Sequence, residues 1–165
     1  MRKLLAAAAT TISAVALISG TGLAIASAHP AHPATSNTEH FRGMTTSATS
    51  SKTSLIATGV FTAGGIDNLG VIPETFKFSN GTIKITHHAV HTKQTLNSKT
   101  CLFRVSQSGT YKLIGGTGKY TGISGHGSFV LSVLAVLASS KGSCSKKLLP
   151  AAFQQIITAQ GPVKL

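Results

Sequence analysis

Acidic side chains are almost missing from this sequence, which has three in 165 residues against fifteen lysines and arginines. They are Glu39, Asp67 and Glu74, and only the last two lie in the part of the chain that the sequence predicts to be ordered. Enzymes that hydrolyse glycosidic bonds place two carboxyl groups on opposite sides of the scissile bond. The composition therefore nearly excludes paired-carboxylate catalysis.

Other signatures of catalysis and nucleotide binding are also missing. No Gly-x-Ser-x-Gly elbow stands in a strand–turn–helix context, so nucleophilic hydrolysis has no support. The glycine-rich segment that begins at Gly115 lacks the Gly-Lys-Ser/Thr ending of a phosphate-binding loop. Beyond residue 28, no segment shows the 3.6-residue apolar period of an amphipathic helix. Whether the protein is an enzyme stays open, and the sequence favours a non-catalytic role and implies no cofactor.

The amino-terminal segment has the pattern of a secretory signal peptide. Met1-Arg2-Lys3 is positively charged, residues 4–25 are apolar, and Ala26-Ser27-Ala28 fits the small-x-small rule for cleavage. An uncleaved anchor is the alternative, because the apolar run approaches the length that spans a membrane. Cleavage after residue 28 predicts a secreted, extracellular protein that begins at His29 and keeps no transmembrane span.

The two cysteines, Cys101 and Cys144, are expected to form a disulfide in an exported chain. They lack the Cys-x-x-Cys spacing of redox-active pairs, so the bond is predicted to be structural.

The exported part divides into a tail and one domain. Residues 29–53 are rich in His, Pro, Ser and Thr with few large apolar side chains, which predicts a flexible tail. Residues 54–165 are predicted to form a single domain, and they have a strong excess of positive charge. Such charge attracts anionic lipids and acidic envelope polymers, although it is also a general aid to solubility. Nucleic acid is not expected as a partner of an exported chain whose lysines are not interleaved with aromatic residues.

Short β-strands account for most of the domain. Alternating or β-branched runs predict strands at 54–61, 76–85, 100–105, 110–114, 129–138 and 153–159. The run 129–138 is apolar on both faces, which favours a central strand over the alternative of a buried helix. Strands at this spacing, without helical crossovers, predict an all-β fold: an antiparallel β-barrel of about eight strands, with a β-sandwich as the alternative.

One hairpin is predicted in detail. Asn80-Gly81 between two alternating runs is typical of a type I′ turn with these two residues as the loop. This register pairs Phe78 with Ile83 and Phe76 with Ile85 on the core side, and Lys77 with Lys84 outside. Two opposed lysines repel each other, so Lys77 and Lys84 are predicted to face solvent or to contact an anionic surface.

The segment from Gly115 to Gly127 carries six glycines, as expected where strands approach closely at a barrel corner, with Tyr120 and Ile123 plugging the barrel end. The run Gly115-Gly116-Thr117-Gly118-Lys119-Tyr120, followed by Gly122, Gly125 and Gly127, resembles a segment of the allene oxide cyclase and dirigent barrel proteins. The chain is also similar to small secreted actinobacterial proteins with this barrel-type segment. The resemblance implies an eight-stranded antiparallel barrel whose apolar interior takes a hydrophobic ligand. It does not carry over the enzymes' activities, because their acids and polar groups have no matches here.

Histidines and one tyrosine are the candidate site residues. Tyr120, His87, His88 and His126 are candidates for ligand binding. In His87-His88-x-x-His91 no two histidines share a strand face unless a bulge intervenes, so barrel-lining or surface positions are favoured over a metal site. His29 at the predicted mature terminus offers an amine and an imidazole that could chelate copper.

These observations lead to three functional hypotheses. The first is a secreted, non-catalytic barrel that binds an apolar small molecule or an anionic envelope polymer. The second is a cyclase or isomerase that uses His87, His88 or Tyr120 for proton transfer, and it requires titratable side chains inside the barrel. The third is an extracellular copper carrier that uses His29.

Overall fold

The computed structural model describes residues 37–140 and 142–165, and these form a closed antiparallel β-barrel. The barrel fold is confirmed, and eight strands close the barrel. The predicted signal peptide, the first part of the predicted tail and His29 lie outside the described residues. The strands are β1 (Thr38–Thr45), β2 (Lys52–Thr58), β3 (Ala63–Asn68), β4 (Glu74–Phe78), β5 (Gly81–Asn97), β6 (Leu102–Gly116), β7 (Ser124–Val136), β8 (Ala138–Ser140), β9 (Ser143–Ser145) and β10 (Ala152–Lys164). The barrel strands are neighbours in the order β1-β10-β7-β6-β5-β4-β3-β2.

The first strand corrects the predicted boundary of the domain. The composition of Thr38–Thr45 predicts part of a flexible tail, but the segment forms β1 and closes the barrel between β2 and β10. Its inward residues are Glu39, Phe41 and Gly43, so only one large apolar side chain faces the core and the segment shows no hydrophobic alternation. Hydrogen bonding to a neighbour on each side holds the strand in place, and that pairing leaves little trace in the composition.

The β4–β5 hairpin has the predicted faces but a different register. Phe76 lies opposite Ile83 and Phe78 opposite Gly81, so Ser79-Asn80 is the two-residue loop. Asn80 does not have the positive φ of a type I′ turn, and the predicted turn type is wrong. Shifting the pairing by two residues keeps the same side chains inside, but it separates the two lysines. Lys77 faces Thr82, Lys84 faces Thr75, and the predicted lysine pair does not form.

Four strands are much longer than the rest and extend the sheet past one end of the barrel. β5, β6, β7 and β10 have 13 to 17 residues, whereas β1 to β4 have 5 to 8. β6 is one strand where the sequence predicted two, and β7 confirms the strand predicted at 129–138. Beyond Ile85 the described part of β5 pairs only with β6, so one edge is left open despite barrel closure. A bulge between Ala89 and His91 and the charge of Lys93 make this edge a poor template for further pairing.

An aromatic cluster begins at the other end of the barrel and extends through its interior. Phe78 and Tyr120 have ring centroids 5.3 Å apart, and Phe61 lies 5.0 Å from Tyr120. Tyr120 is the last residue of a short 3₁₀ turn at Gly118–Tyr120, and both it and Ile123 are buried in the core as predicted. Gly118 has φ +62°, and a Cβ there would lie 2.3 Å from the carbonyl oxygen of Asn80, so the turn requires glycine. The cluster consists of Phe41, Phe61, Phe76, Phe78, Tyr111 and Tyr120.

The predicted disulfide between Cys101 and Cys144 is present, with an S–S distance of 2.05 Å. It joins the turn before β6 to β9, which pairs with β8 in a small hairpin outside the barrel. Lys146, just beyond this hairpin, lies 5.2 Å from the ring centre of Phe103, so the segment packs against the long strands. Within residues 37–140 and 142–165, no helix has the length and apolar character needed to cross a bilayer.

Candidate ligand-binding site

A cavity of about 100 Å³ lies inside the barrel at the end where the long strands continue. Its apolar wall includes Phe76, Phe129, Leu131 and Ile157. Its polar lining groups come from four strands and are Asp67, Glu74, His87, Gln107 and Tyr111. The cavity thus combines an apolar wall with a concentration of hydrogen-bonding and titratable groups, as ligand sites in proteins do.

Strand alternation explains why these polar groups point inward. Glu74 lies on the same face of β4 as Phe76 and Phe78, whose side chains are buried. His87 lies on the same face of β5 as Ile83 and Ile85, and it is opposite Tyr111 of β6. Because alternate residues of a strand face the same side, the pattern that builds the apolar core also delivers Glu74 and His87 to the cavity.

Asp67 is deeply buried in the cavity wall, with 3% of its surface exposed. Its Oδ1 atom has no hydrogen-bond partner in the described part of the chain. Burial raises the pKa of Asp67 to about 7, and the nearby Glu74 carboxylate adds to the rise. Near neutral pH this carboxyl group can therefore accept a proton or lose one.

Glu74 and His87 form a pair at the mouth of the cavity. His87 Nδ1 lies 3.5 Å from Glu74 Oε2, and the imidazole packs edge-on against Phe129 with 5.5 Å between ring centres. Burial raises the pKa of Glu74, and the contact with His87 opposes that rise. The Glu74 side chain is 14% exposed and that of His87 is 37% exposed, so the pair lies between cavity and solvent.

Tyr111 provides a second unpartnered polar group. Its hydroxyl is buried and makes no hydrogen bond to any residue that the structure describes. Burial raises the pKa of Tyr111 to about 12, with a further contribution from the charge of Glu39. The phenol therefore stays protonated at physiological pH and can act as a hydrogen-bond donor.

The third acid, Glu39, is also inside the barrel and is fully buried. Its Oε2 atom accepts a hydrogen bond of 3.0 Å from the backbone N–H of Phe61. Burial raises the pKa of Glu39, and hydrogen bonds from the backbone of Phe61 and Val60 oppose the rise. All three acidic side chains of the chain thus face the interior, and none is left on the outer surface to balance its lysines and arginines.

The structure does not bring the four predicted ligand-binding residues together. His87 lines the cavity, whereas Tyr120 packs in the aromatic cluster at the opposite end of the barrel. His88 and His126 are exposed and lie opposite Thr110 and Lys112 on the outer face. The bulge after Ala89 also places His91 on that face, opposite Ser108.

Neither the outer histidines nor the cavity residues form a metal site of the usual kind. Over residues 37–140 and 142–165, no group of three or more His, Cys, Asp or Glu is arranged to hold a metal ion. The predicted copper site at His29 lies outside the described residues and stays a prediction. The predicted anion contacts Lys77 and Lys84 are both exposed on the outer face of the barrel.

The predictions from sequence did not place Asp67, Glu74 and Tyr111 in one site, because the scarcity of acids counted against paired-carboxylate catalysis. The parity that Glu74 shares with two buried phenylalanines was a usable signal. No such signal marked Asp67, because it is buried while its apolar neighbour Ile66 is 43% exposed, the reverse of what the two residue types predict. The cavity contains titratable groups, so the requirement of the cyclase or isomerase hypothesis is met and that hypothesis stays a prediction.

Comparison with known proteins gives no further assignment. The chain matches no protein-family model, no curated protein and no solved structure. The resemblance to the allene oxide cyclase and dirigent proteins is therefore supported by the eight-stranded antiparallel barrel alone, and no family is identified.

Proposed function

We propose that this protein is an exported, non-catalytic binding protein that takes one end of an apolar small molecule into the open cavity of its barrel. The observation that carries the proposal is the cavity itself, with apolar walls and two buried polar groups, Asp67 and Tyr111, that have unpartnered oxygen atoms. Because such atoms cost free energy when they are buried without partners, a ligand that bonds to them would be stabilised.

The size of the cavity limits how much of a ligand it can enclose. Pockets that enclose a whole small molecule measure roughly 300–1,000 Å³, and this cavity has about 100 Å³. The remainder of the ligand would lie outside, past the Glu74–His87 pair, and could contact apolar side chains there. Leu69 lines the cavity, and the turn after it exposes Val71 and Ile72, the latter at 88%. Such exposed apolar groups at a cavity mouth are typical of a binding rim.

A matched pair of isoleucines tests this proposal. Ile157 lines the cavity, and its neighbour Ile156 has the opposite parity on β10, while both are half-buried. Ile157→Trp would fill the cavity and is expected to reduce the affinity for the neutral apolar dye Nile red at least about tenfold. Ile156→Trp adds the same ring on the outer side and should leave the affinity unchanged. Fluorescence titration measures both, and equal effects of the two variants would contradict binding inside the barrel.

A second function, contact with an anionic envelope polymer, is favoured by the distribution of charge. The chain's acids are inside, while Lys77 and Lys84 lie exposed on adjacent strands of the outer face. A polyanion approaching this face would meet no acidic side chain to repel it. We offer this as an additional role of the outer surface, since it does not compete with the cavity.

Neutralising two lysines tests the surface role. The double variant Lys77→Gln/Lys84→Gln is expected to bind polyglutamate at least about threefold more weakly in low salt, because two adjacent contacts are lost. The control Lys93→Gln/Lys147→Gln removes the same net charge elsewhere, and both lysines are exposed. If both double variants weaken binding equally, the attraction depends on net charge alone and this face has no special role.

A further inference from the structure

We propose that the cavity is selective for the ammonium head of an organic amine, which would lie between Asp67, Glu74 and the surrounding aromatic rings. This inference rests on the proposed function and deepens it by naming the chemistry of the ligand. Its basis is the placement of the charges, the unpartnered atoms and the ring-lined wall of one cavity.

The first argument concerns the cost of the acids. Transferring a carboxyl group from water to an apolar interior is unfavourable unless a partner of opposite charge or a hydrogen-bond donor is present. Two of the chain's three acids line this one cavity, and Asp67 Oδ1 has no partner among residues 37–140 and 142–165. A cation with N–H donors is the ligand that would satisfy this oxygen and oppose the repulsion between the two carboxyl groups.

The second argument concerns the walls. Phe76, Phe129 and Tyr111 line the same cavity as the two acids. Aromatic faces attract organic cations through the quadrupole of the ring, and desolvated sites strengthen this attraction. An ammonium group in an apolar, ring-lined cavity with two carboxyl groups would meet favourable interactions from both kinds of side chain.

Size and charge exclude the other common head groups as the preferred ligand. A volume of about 100 Å³ corresponds to about three water molecules, which suits a small head group. A carboxylate head would be repelled by Asp67 and Glu74. A hydroxyl head could donate to Asp67 Oδ1 and accept from Tyr111, but it has no positive charge and would be attracted less strongly by the two carboxylates than an ammonium group.

The titratable groups that face Asp67 set the expected pH dependence. They are Glu74 on β4, His87 on β5 and Tyr111 on β6. Asp67 must be ionised to attract a cation, and its pKa is about 7. The affinity for an amine, which is protonated throughout this range, is therefore expected to rise between pH 5 and pH 8.

Three ligands with one shared tail provide the test. Hexylamine, hexanol and hexanoate are titrated calorimetrically into the full-length processed protein at pH 8. Hexylamine is expected to bind at least about tenfold more tightly than hexanol, with no measurable binding of hexanoate. Asp67→Asn should remove at least about tenfold of the amine affinity and leave that for hexanol unchanged. Glu39→Gln neutralises an interior acid that does not line the cavity, and it should change neither the affinity for hexylamine nor that for hexanol.

The outcomes separate the two proposals. Equal affinity for hexylamine and hexanol, preference for hexanoate, or full amine binding by Asp67→Asn would each overturn selectivity for an amine. Binding of Nile red without binding of hexylamine would overturn this inference and leave the proposed function standing. Failure of Nile red and all three ligands, in protein that unfolds cooperatively on heating, would overturn both.

Discussion

Replacing Asp67 with asparagine is expected to increase the free energy of unfolding at pH 8 by about 4 kcal/mol and to change it little at pH 4. In the folded barrel the pKa of Asp67 is raised from 3.8 to about 7. Between these values the folded state holds a proton that the unfolded chain has lost, so stability falls as the pH rises from about 4 to about 7. Asparagine has no charge to bury and therefore escapes this loss.

Urea unfolding of both proteins at several pH values measures the effect. The Asp67→Asn variant should still lose some stability between pH 4 and pH 8, because burial also raises the pKa of Glu39 and that of Glu74. Asn68→Asp is the matched control, since it places an acid at the next position on the opposite face of β3, opposite Lys52. A parent that becomes more stable from pH 4 to pH 8 would contradict the prediction.

Removing the disulfide should have an effect of similar size. The bond between Cys101 and Cys144 closes a loop with a sequence separation of 43. Chain-entropy estimates for such a loop give about 4 kcal/mol, because the crosslink restricts the unfolded chain. The variant Cys101→Ala/Cys144→Ala is therefore expected to lose about 4 kcal/mol in urea unfolding under oxidising conditions.

A second variant separates loss of the crosslink from backbone strain. Cys101 has φ +55°, in the left-handed region that glycine adopts more easily than alanine. Cys101→Gly/Cys144→Ala should therefore be about 1 kcal/mol more stable than the double alanine variant. Reductant should destabilise the parent and neither variant. Equal stability of the parent and the double alanine variant would show that the crosslink restricts little in the unfolded chain.

The alternation of apolar residues was enough to predict the barrel and its inward faces. It placed Phe76, Phe78, Ile83 and Ile85 inside, and the structure buries all four. The pairing register was harder to predict, because a shift by two residues preserves the face of every side chain. The choice between Asn80-Gly81 and Ser79-Asn80 as the loop therefore left no signal in the hydrophobic pattern.

The predictions from sequence were wrong or incomplete where polar residues occupy core positions. β1 turns Glu39 and Gly43 inward, so its composition is that of a tail. Asp67 is buried while its neighbour Ile66 is exposed, which inverts the usual preference of both side chains. Only the closed barrel, which requires β1 and fixes the parity of β3, accounts for these positions. The burial of Asp67 in place of Ile66 puts an acid in the candidate site. The usual rule that apolar residues are buried and acids exposed therefore fails at the site for which a function is proposed.

The pairing of β1 with β10 has a consequence for the order in which the molecule can be completed. β1 finds one partner, β2, within a few residues, but its other partner begins only at residue 152. During synthesis or export from the amino terminus, the edge of β1 that pairs with β10 stays unpaired until nearly the whole polypeptide is available. Closure of the barrel is therefore a late event that joins distant parts of the chain. A chain that ended before β10 would leave one edge of β1 and one edge of β7 unpaired, and such open edges are prone to self-association.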